Sequence, residues 1–216
     1  MSEVIVLYDG YSITSGRNEM TANCSCTLIK GPRNVIVDTM TAWDREKILT
    51  ALENQGITPN EIHYVVSTHG HSDHLGNNNL FLDAKHIVGY SVSFRDKYYM
   101  HPFDNGEDYI INDSIKVIPT PGHTLSDVTK RHLCLFSSAP PLLTLTLKYC
   151  DLFENSDDLD NPNIWLEAGS EDPVLQSKNR LKVLEMANWI VPGHGKKFQV
   201  TDAIKKTMRK QIDDTL

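Results

Sequence analysis

Six residues, His69-Gly70-His71-Ser72-Asp73-His74, constrain this chain more than any other stretch. Three imidazoles and a carboxylate so close together are costly to bury unless a cation neutralises and orients them. Imidazole with carboxylate suits zinc, and also iron or manganese. The run before the cluster, Ile62 to Thr68, reads as a strand, and the run after it, Leu75 to Leu82, as the start of a helix. The cluster then sits at the C-terminal end of a strand, where α/β folds place their chemistry. A polar loop with solvated histidines is the plain alternative, and the spacing weighs against it.

Two more strands end in a similar way. Ile115 to Pro119 runs into Thr120-Pro121-Gly122-His123-Thr124, and Trp189 to Val191 runs into Pro192-Gly193-His194-Gly195. In each, a glycine before the histidine lets the backbone turn tightly toward a centre. Asp151 lies between them in sequence. This ordered set resembles the metallo-β-lactamase superfamily. The resemblance implies that His69, His71 and His123 hold one metal, that Asp73, His74 and His194 hold a second, and that Asp151 bridges them. It implies a four-layer αββα sandwich of the α/β class, expected to form one domain over residues 1–216. Asp38 matches an aspartate that supports a ligand or loop through hydrogen bonds. Met40 stands where the family pattern has glycine.

A length of 216 residues suffices for one substantial core. No apolar run approaches the ~20 residues of a membrane span, and no basic stretch followed by an apolar core opens the sequence. The expectation is a protein that is neither secreted nor in a membrane. The four cysteines, Cys24, Cys26, Cys134 and Cys150, form no Cys-x-x-Cys pair and read as free thiols. A net charge of −7 does not suit a surface that grips nucleic acid all over. Lys196 and Lys197, directly after the last histidine, are the candidates for a substrate or phosphate contact. Lys205, Lys206, Arg209 and Lys210 read as a solvated helix face.

Elsewhere the pattern predicts a strand at Val4–Leu7, a hairpin from Cys24 to Asp38, and a helix over Trp43–Asn54. It also predicts a hairpin from Tyr109 to Ile118 and helices over Asp172–Ala187 and Asp202–Ile212. Ser93 to Met100 reads as a weak helix or lid, with Tyr98, Tyr99, His101, Pro102 and Phe103 as candidate lining of a substrate mouth. Residues 130–150 depart from the family pattern. Leucine runs and Pro140-Pro141 replace a valine alternation, and Cys150 replaces the glycine before the aspartate. A hairpin turning at Ser137 to Pro141 is expected. Asp151 hangs on its second strand, so a one-residue slip would turn side chains to the wrong face.

The resemblance implies a hydrolase in which two zinc ions activate water and polarise a carbonyl or phosphoryl oxygen, with Asp73 also steering a proton. The glyoxalase II-like group that this chain resembles includes endoribonuclease action on histone pre-mRNA 3′ ends. That implies RNA as substrate, a cytosolic and nuclear location, and a homodimer. Hydrolysis of a small thioester, lactone or lactam is the alternative. A third reading is a metal-binding module without catalysis, which would follow if residues 130–150 displaced Asp151.

Overall fold

The computed structural model describes residues 2–16, 19–136, 142–148 and 151–213. The chain begins with strands β1 (Glu3–Tyr8), β2 (Tyr11–Gly16), β3 (Glu19–Asn23), β4 (Cys26–Lys30) and β5 (Asn34–Val37). Helix α1 (Arg45–Asn54), β6 (Ile62–Ser67), α2 (Ser72–Leu75), β7 (Lys85–Val88), β8 (Ser91–Phe94) and β9 (Lys97–Tyr99) follow. The second half holds β10 (Tyr109–Asn112), β11 (Ile115–Pro119), β12 (Val128–Phe136), β13 (Leu142–Lys148), α3 (Asn163–Glu167), α4 (Pro173–Met186), β14 (Trp189–Val191), β15 (Phe198–Gln199) and α5 (Asp202–Asp213).

Two sheets result, one ordered β1-β4-β5-β6-β7-β8-β9 and the other β10-β11-β12-β13-β14-β15, with β2 and β3 as a separate hairpin. Strands β5, β6 and β7 run parallel. Their Val35-Ile36-Val37 and Val65-Val66 runs are buried without alternation, as strands covered on both faces require. One face meets the second sheet, where Val37, Val66 and Ile87 pack against Ile115, Val117 and Val128. The other face meets α1, where Ile48 and Leu52 pack against Leu28, Ile36 and Val65. Helices α4 and α5 cover the outer side of the second sheet, with Val183, Leu184 and Met208 around Ile190. Each of these aliphatic side chains contributes about 1.5–3 kcal/mol on burial. The layers are therefore αββα. Among the described residues, no helix is long and apolar enough to cross a membrane.

Local signals explain the helix ends. Gly56 adopts φ +65° after α1, and its N–H donates to Glu53 O at 2.8 Å, closing the helix with a left-handed residue. Thr58 and Glu61 form a capping box with Pro59 at the first position. Asp172 accepts from Leu175 N at 2.9 Å and caps α4, with Pro173 opening it.

Three stretches differ from expectation. No helix runs over Leu75–Leu82; α2 ends at Leu75 and a 3₁₀ turn follows at Asn78–Leu80. The Asn77 amide donates to Thr39 O and Thr41 O at 2.7 Å each, pinning the chain to the loop after β5. Asparagine favours such backbone bonds over a helix interior. Ser93–Met100 is not a helix but lies in the β8–β9 hairpin, with Arg95 at φ +55° in its turn. Its aromatic residues, Phe94, Tyr98 and Tyr99, favour a strand. Phe103 is buried between the sheets, with His101 against it at 4.3 Å between rings, and Lys85 Nζ lies over the Tyr99 ring at 4.6 Å. These residues build the flank of the sandwich. The β2–β3 hairpin was not anticipated.

The departure at 130–150 leaves the pairing intact. Strands β12 and β13 match without a slip from Lys130↔Lys148 to Phe136↔Leu142, while the expected turn at 137–141 and Cys150 lie outside the described residues. Strand β13 pairs in parallel with β14, Lys148 opposite Val191. Asp151 and His194 each follow their strand by three residues, so both arrive at one edge of the sandwich.

Candidate metal centre

Five strand ends converge on that edge: Asp38 after β5, the 69–74 cluster after β6, His123 after β11, Asp151 after β13 and His194 after β14. Two groups form. In the first, His71 Nδ1 lies 2.8 Å from His69 Nε2 and 3.2 Å from His123 Nε2. Asp151 Oδ2 completes it, 3.5 Å from His69 Nε2 and 3.3 Å from His123 Nε2. In the second, Asp151 Oδ1 lies 3.3 Å from His74 Nε2 and 3.2 Å from His194 Nε2. Asp73 Oδ2 faces the same two nitrogens at 3.8 and 3.9 Å. Each oxygen of Asp151 thus addresses a different group.

Four of the five histidines use their other nitrogen to fix the ring. His123 Nδ1 donates to Gly169 O at 2.6 Å, and His194 Nδ1 donates to Asn23 O at 3.0 Å and Tyr11 O at 3.2 Å. His69 Nδ1 lies 3.2 Å from Thr68 Oγ1, and His74 Nδ1 lies 3.2 Å from both Thr68 Oγ1 and Asp38 Oδ2. Asp38 in turn accepts from Thr68 N at 2.8 Å. Binding the outer nitrogen aims the inner lone pair, the arrangement in which imidazole holds a metal. His74 Nε2 and Asp151 Oδ1 are buried with no hydrogen-bond partner among the described residues. Leaving such atoms unsatisfied costs about 1–3 kcal/mol each. A cation between them removes that cost, so the residues present fit a divalent metal.

The superfamily profile described as Metallo-beta-lactamase superfamily matches residues 21–132. The chain is 41% identical over 200 residues to Metallo-beta-lactamase domain-containing protein 1 of Xenopus laevis, covering 91% of this chain and 81% of that protein. The chain belongs to the metallo-β-lactamase superfamily. The human protein of the same description is 37% identical over 172 residues, and the match covers 79% of this chain and 60% of the human protein. The fold is also similar to a crystal structure of N-acyl homoserine lactone hydrolase with product bound at its catalytic metal centre. That likeness has a TM-score of 0.64 at 17% identity and covers 89% of this chain and 92% of the other. Metallo-β-lactamase superfamily members are metal-dependent hydrolases, and the site is read accordingly.

Electrostatics agree with a place for positive charge. Burial opposes protonation of His74, yet the Asp151 and Asp38 carboxylates outweigh it and hold its pKa well above the ordinary value. His194 behaves likewise, at about 9, with Asp151 overriding burial. Burial lowers His69 and His123, the former helped by the positive charge on His74. Burial would raise Asp151, but His74 and His194 hold it well below the usual carboxylate range. Protons thus balance these carboxylates until a cation displaces them.

The metallo-β-lactamase pattern named all seven donor residues and Asp38, and the structure brings them together. Lys196 and Lys197 are exposed, and Lys197 Nζ lies over the Trp189 ring at 4.9 Å. Five other contributors were not singled out. Asp127 accepts from Thr124 N and Thr124 Oγ1 at 2.7 Å each, bracing the turn beside His123; the Thr-x-x-Asp spacing is its only sequence mark. Burial pushes the Asp127 carboxyl up to about 8. Gln176 on α4 donates to Asp151 O at 2.9 Å. Tyr11 and Asn23 act through their carbonyls, which no side-chain pattern reveals. Glu154 is buried, with a carboxylate oxygen within 4.8 Å of donor atoms on Asp151 and His194.

Proposed function

We propose that the chain is a dinuclear zinc hydrolase and that it cleaves phosphodiester bonds in RNA. The observation that carries the dinuclear reading is Asp151, whose two buried oxygens face two separate groups of donors. Zinc is favoured by three imidazoles in one group and two in the other. When bound, the metal pair supplies Lewis acidity, activating water and polarising the phosphoryl oxygen. The chain's own residues do the rest. Asp151 sets the spacing between the two positions. Asp73, half-buried at the mouth of the second group, accepts the proton that the attacking water releases. Gly70, His71 and Ser72 are exposed, which supports access for a bond within a longer strand. The exposed Lys196 offers a contact for a neighbouring phosphate.

A second reading, hydrolysis of a small thioester, lactone or lactam, is favoured by charge. The chain carries −7 overall, and the exposed Glu167 lines a cavity beside the second group. The test is cleavage of end-labelled single-stranded RNA by zinc-loaded protein, beside Asp73→Ala, with zinc counted per chain. Two zinc ions and cleavage lost in the variant are expected. Two zinc ions without cleavage would replace RNA by the small acyl substrate. One or none would overturn the dinuclear scheme.

A further inference from the structure

A cavity of about 140 Å³ opens between α3, α4 and α5, on the outer side of the second sheet. Trp165 and Leu166 line it from α3, Val174 from the first turn of α4, and Met208 and Ile212 from α5. Helix α4 separates it from the donor edge. Gln176 and Asn179, which do not line the cavity, donate instead to Asp151 O and Pro121 O at 2.9 and 2.7 Å. The cavity is therefore distinct from the candidate metal centre.

Its walls are apolar and its charge is positive. Trp165 and Met208 are buried, while Leu166 and Val174 are exposed at the opening. Lys178 and Arg180 line the cavity, and no acidic residue does among the described residues. In a chain with 28 acidic residues against 21 basic ones, that is a local reversal of sign. Arg180 is already committed: its guanidinium pairs with Asp158 at 2.7 Å and lies over the Trp165 ring at 5.1 Å. Lys178 is exposed and meets no carboxylate within ion-pair distance among the described residues.

Volume and charge together define the ligand. An apolar cavity of ~150 Å³ holds one benzene ring. The Met208 thioether favours an aromatic edge, and the Lys178 ammonium and the Ser177 hydroxyl, both on the lining, donate to an anion. We propose that this cavity binds a small carboxylic acid bearing a single aromatic ring, with the ring against Trp165 and Met208 and the carboxylate at Lys178. The site does not depend on what the metal centre cleaves.

The test uses benzoate, with benzamide as a neutral ligand of the same shape. Each is titrated into zinc-loaded protein carrying carbon-13 in its methionine methyl groups. The Met208 resonance, identified by its absence from Met208→Leu, reports the cavity rather than any carboxylate held by zinc. It should move saturably, with benzoate bound about three- to fivefold more tightly than benzamide. Lys178→Met should erase that difference. Val174→Trp, which fills the opening from an exposed position, should abolish the shift. Equal affinities of the two ligands in the wild type overturn the proposal, as does a Met208 resonance that benzoate leaves in place, and neither result needs the blocking variants. A difference that survives Lys178→Met also overturns it. A resonance that moves with protein concentration alone assigns the cavity to a second copy of the chain and overturns the small-ligand site.

Discussion

Asp38 and His74 face each other at 3.2 Å, both wholly buried, one at the end of β5 and the other in the helical turn after β6. The carboxylate fixes the imidazole through Nδ1 and leaves Nε2 toward Asp151 and Asp73. Asp38→Asn keeps the shape and an acceptor for Thr68 N but removes the charge. Zinc affinity should fall by about 10–100-fold, as when such supporting partners are lost. Competition with a chromophoric chelator measures it; an affinity within twofold of the wild type removes Asp38 from the support of His74.

Gly193 sits where a side chain cannot. A Cβ there would collide with Asp151 Oδ1, the oxygen that faces His74 and His194. Gly193→Ala should displace that carboxylate and lower occupancy of the second position before the first. Metal analysis of the purified variant reads this directly. A full complement of metal would show that Asp151 can retreat without losing its place.

Met40 holds φ +57°, a left-handed conformation, at the position where the family pattern has glycine. That strain costs roughly 1–2 kcal/mol. The side chain is buried in the cluster with α1, and removing a buried methionine costs roughly 2–5 kcal/mol. Met40→Gly should therefore destabilise the fold by up to roughly 4 kcal/mol in chemical denaturation. A more stable variant would mean that strain outweighs packing here.

His132 lies in β12 with Ser2 Oγ 2.6 Å from its Nε2. Burial, then the Lys130 ammonium, pushes its pKa down to about 3 from 6.5. The unfolded chain takes up this proton below pH 6.5 and the folded chain does not until about pH 3. Stability from this group is thus present above pH 6.5 and is lost as pH falls, by roughly 3 kcal/mol down to pH 4. His132→Gln should flatten the stability curve over that window relative to the wild type. Parallel curves for the two proteins would remove His132 as a cause of acid sensitivity.

The candidate metal donors were legible because their chemistry is concentrated in side chains at strand ends. Gly-His after a strand, twice, and four donors in six residues leave few other uses. The αββα layering followed from the resemblance, and the outer helices from their own periodicity and caps. What escaped reading lies in the main chain or depends on tertiary contacts. The β2–β3 hairpin is short and mostly exposed, so hydrophobic alternation barely marks it. Leu75–Leu82 looked helical until Asn77 was seen to be held by two carbonyls of a loop distant in sequence. Glu154 was invisible because only the fold shows that an acid three residues after Asp151 stays buried.

The anchoring of His194 by the carbonyls of Tyr11 and Asn23 has a consequence for how this protein can change. Those two residues face each other across the base of the β2–β3 hairpin, and they steer the ring with main-chain atoms. The hairpin's side chains, Ser12, Thr14 and Met20 among them, take no part in that grip. They can be exchanged while the backbone continues to orient the histidine. The position of the imidazole and the chemistry of the hairpin's surface are thus written in separable parts of one small hairpin, and the surface can drift while the ring stays fixed.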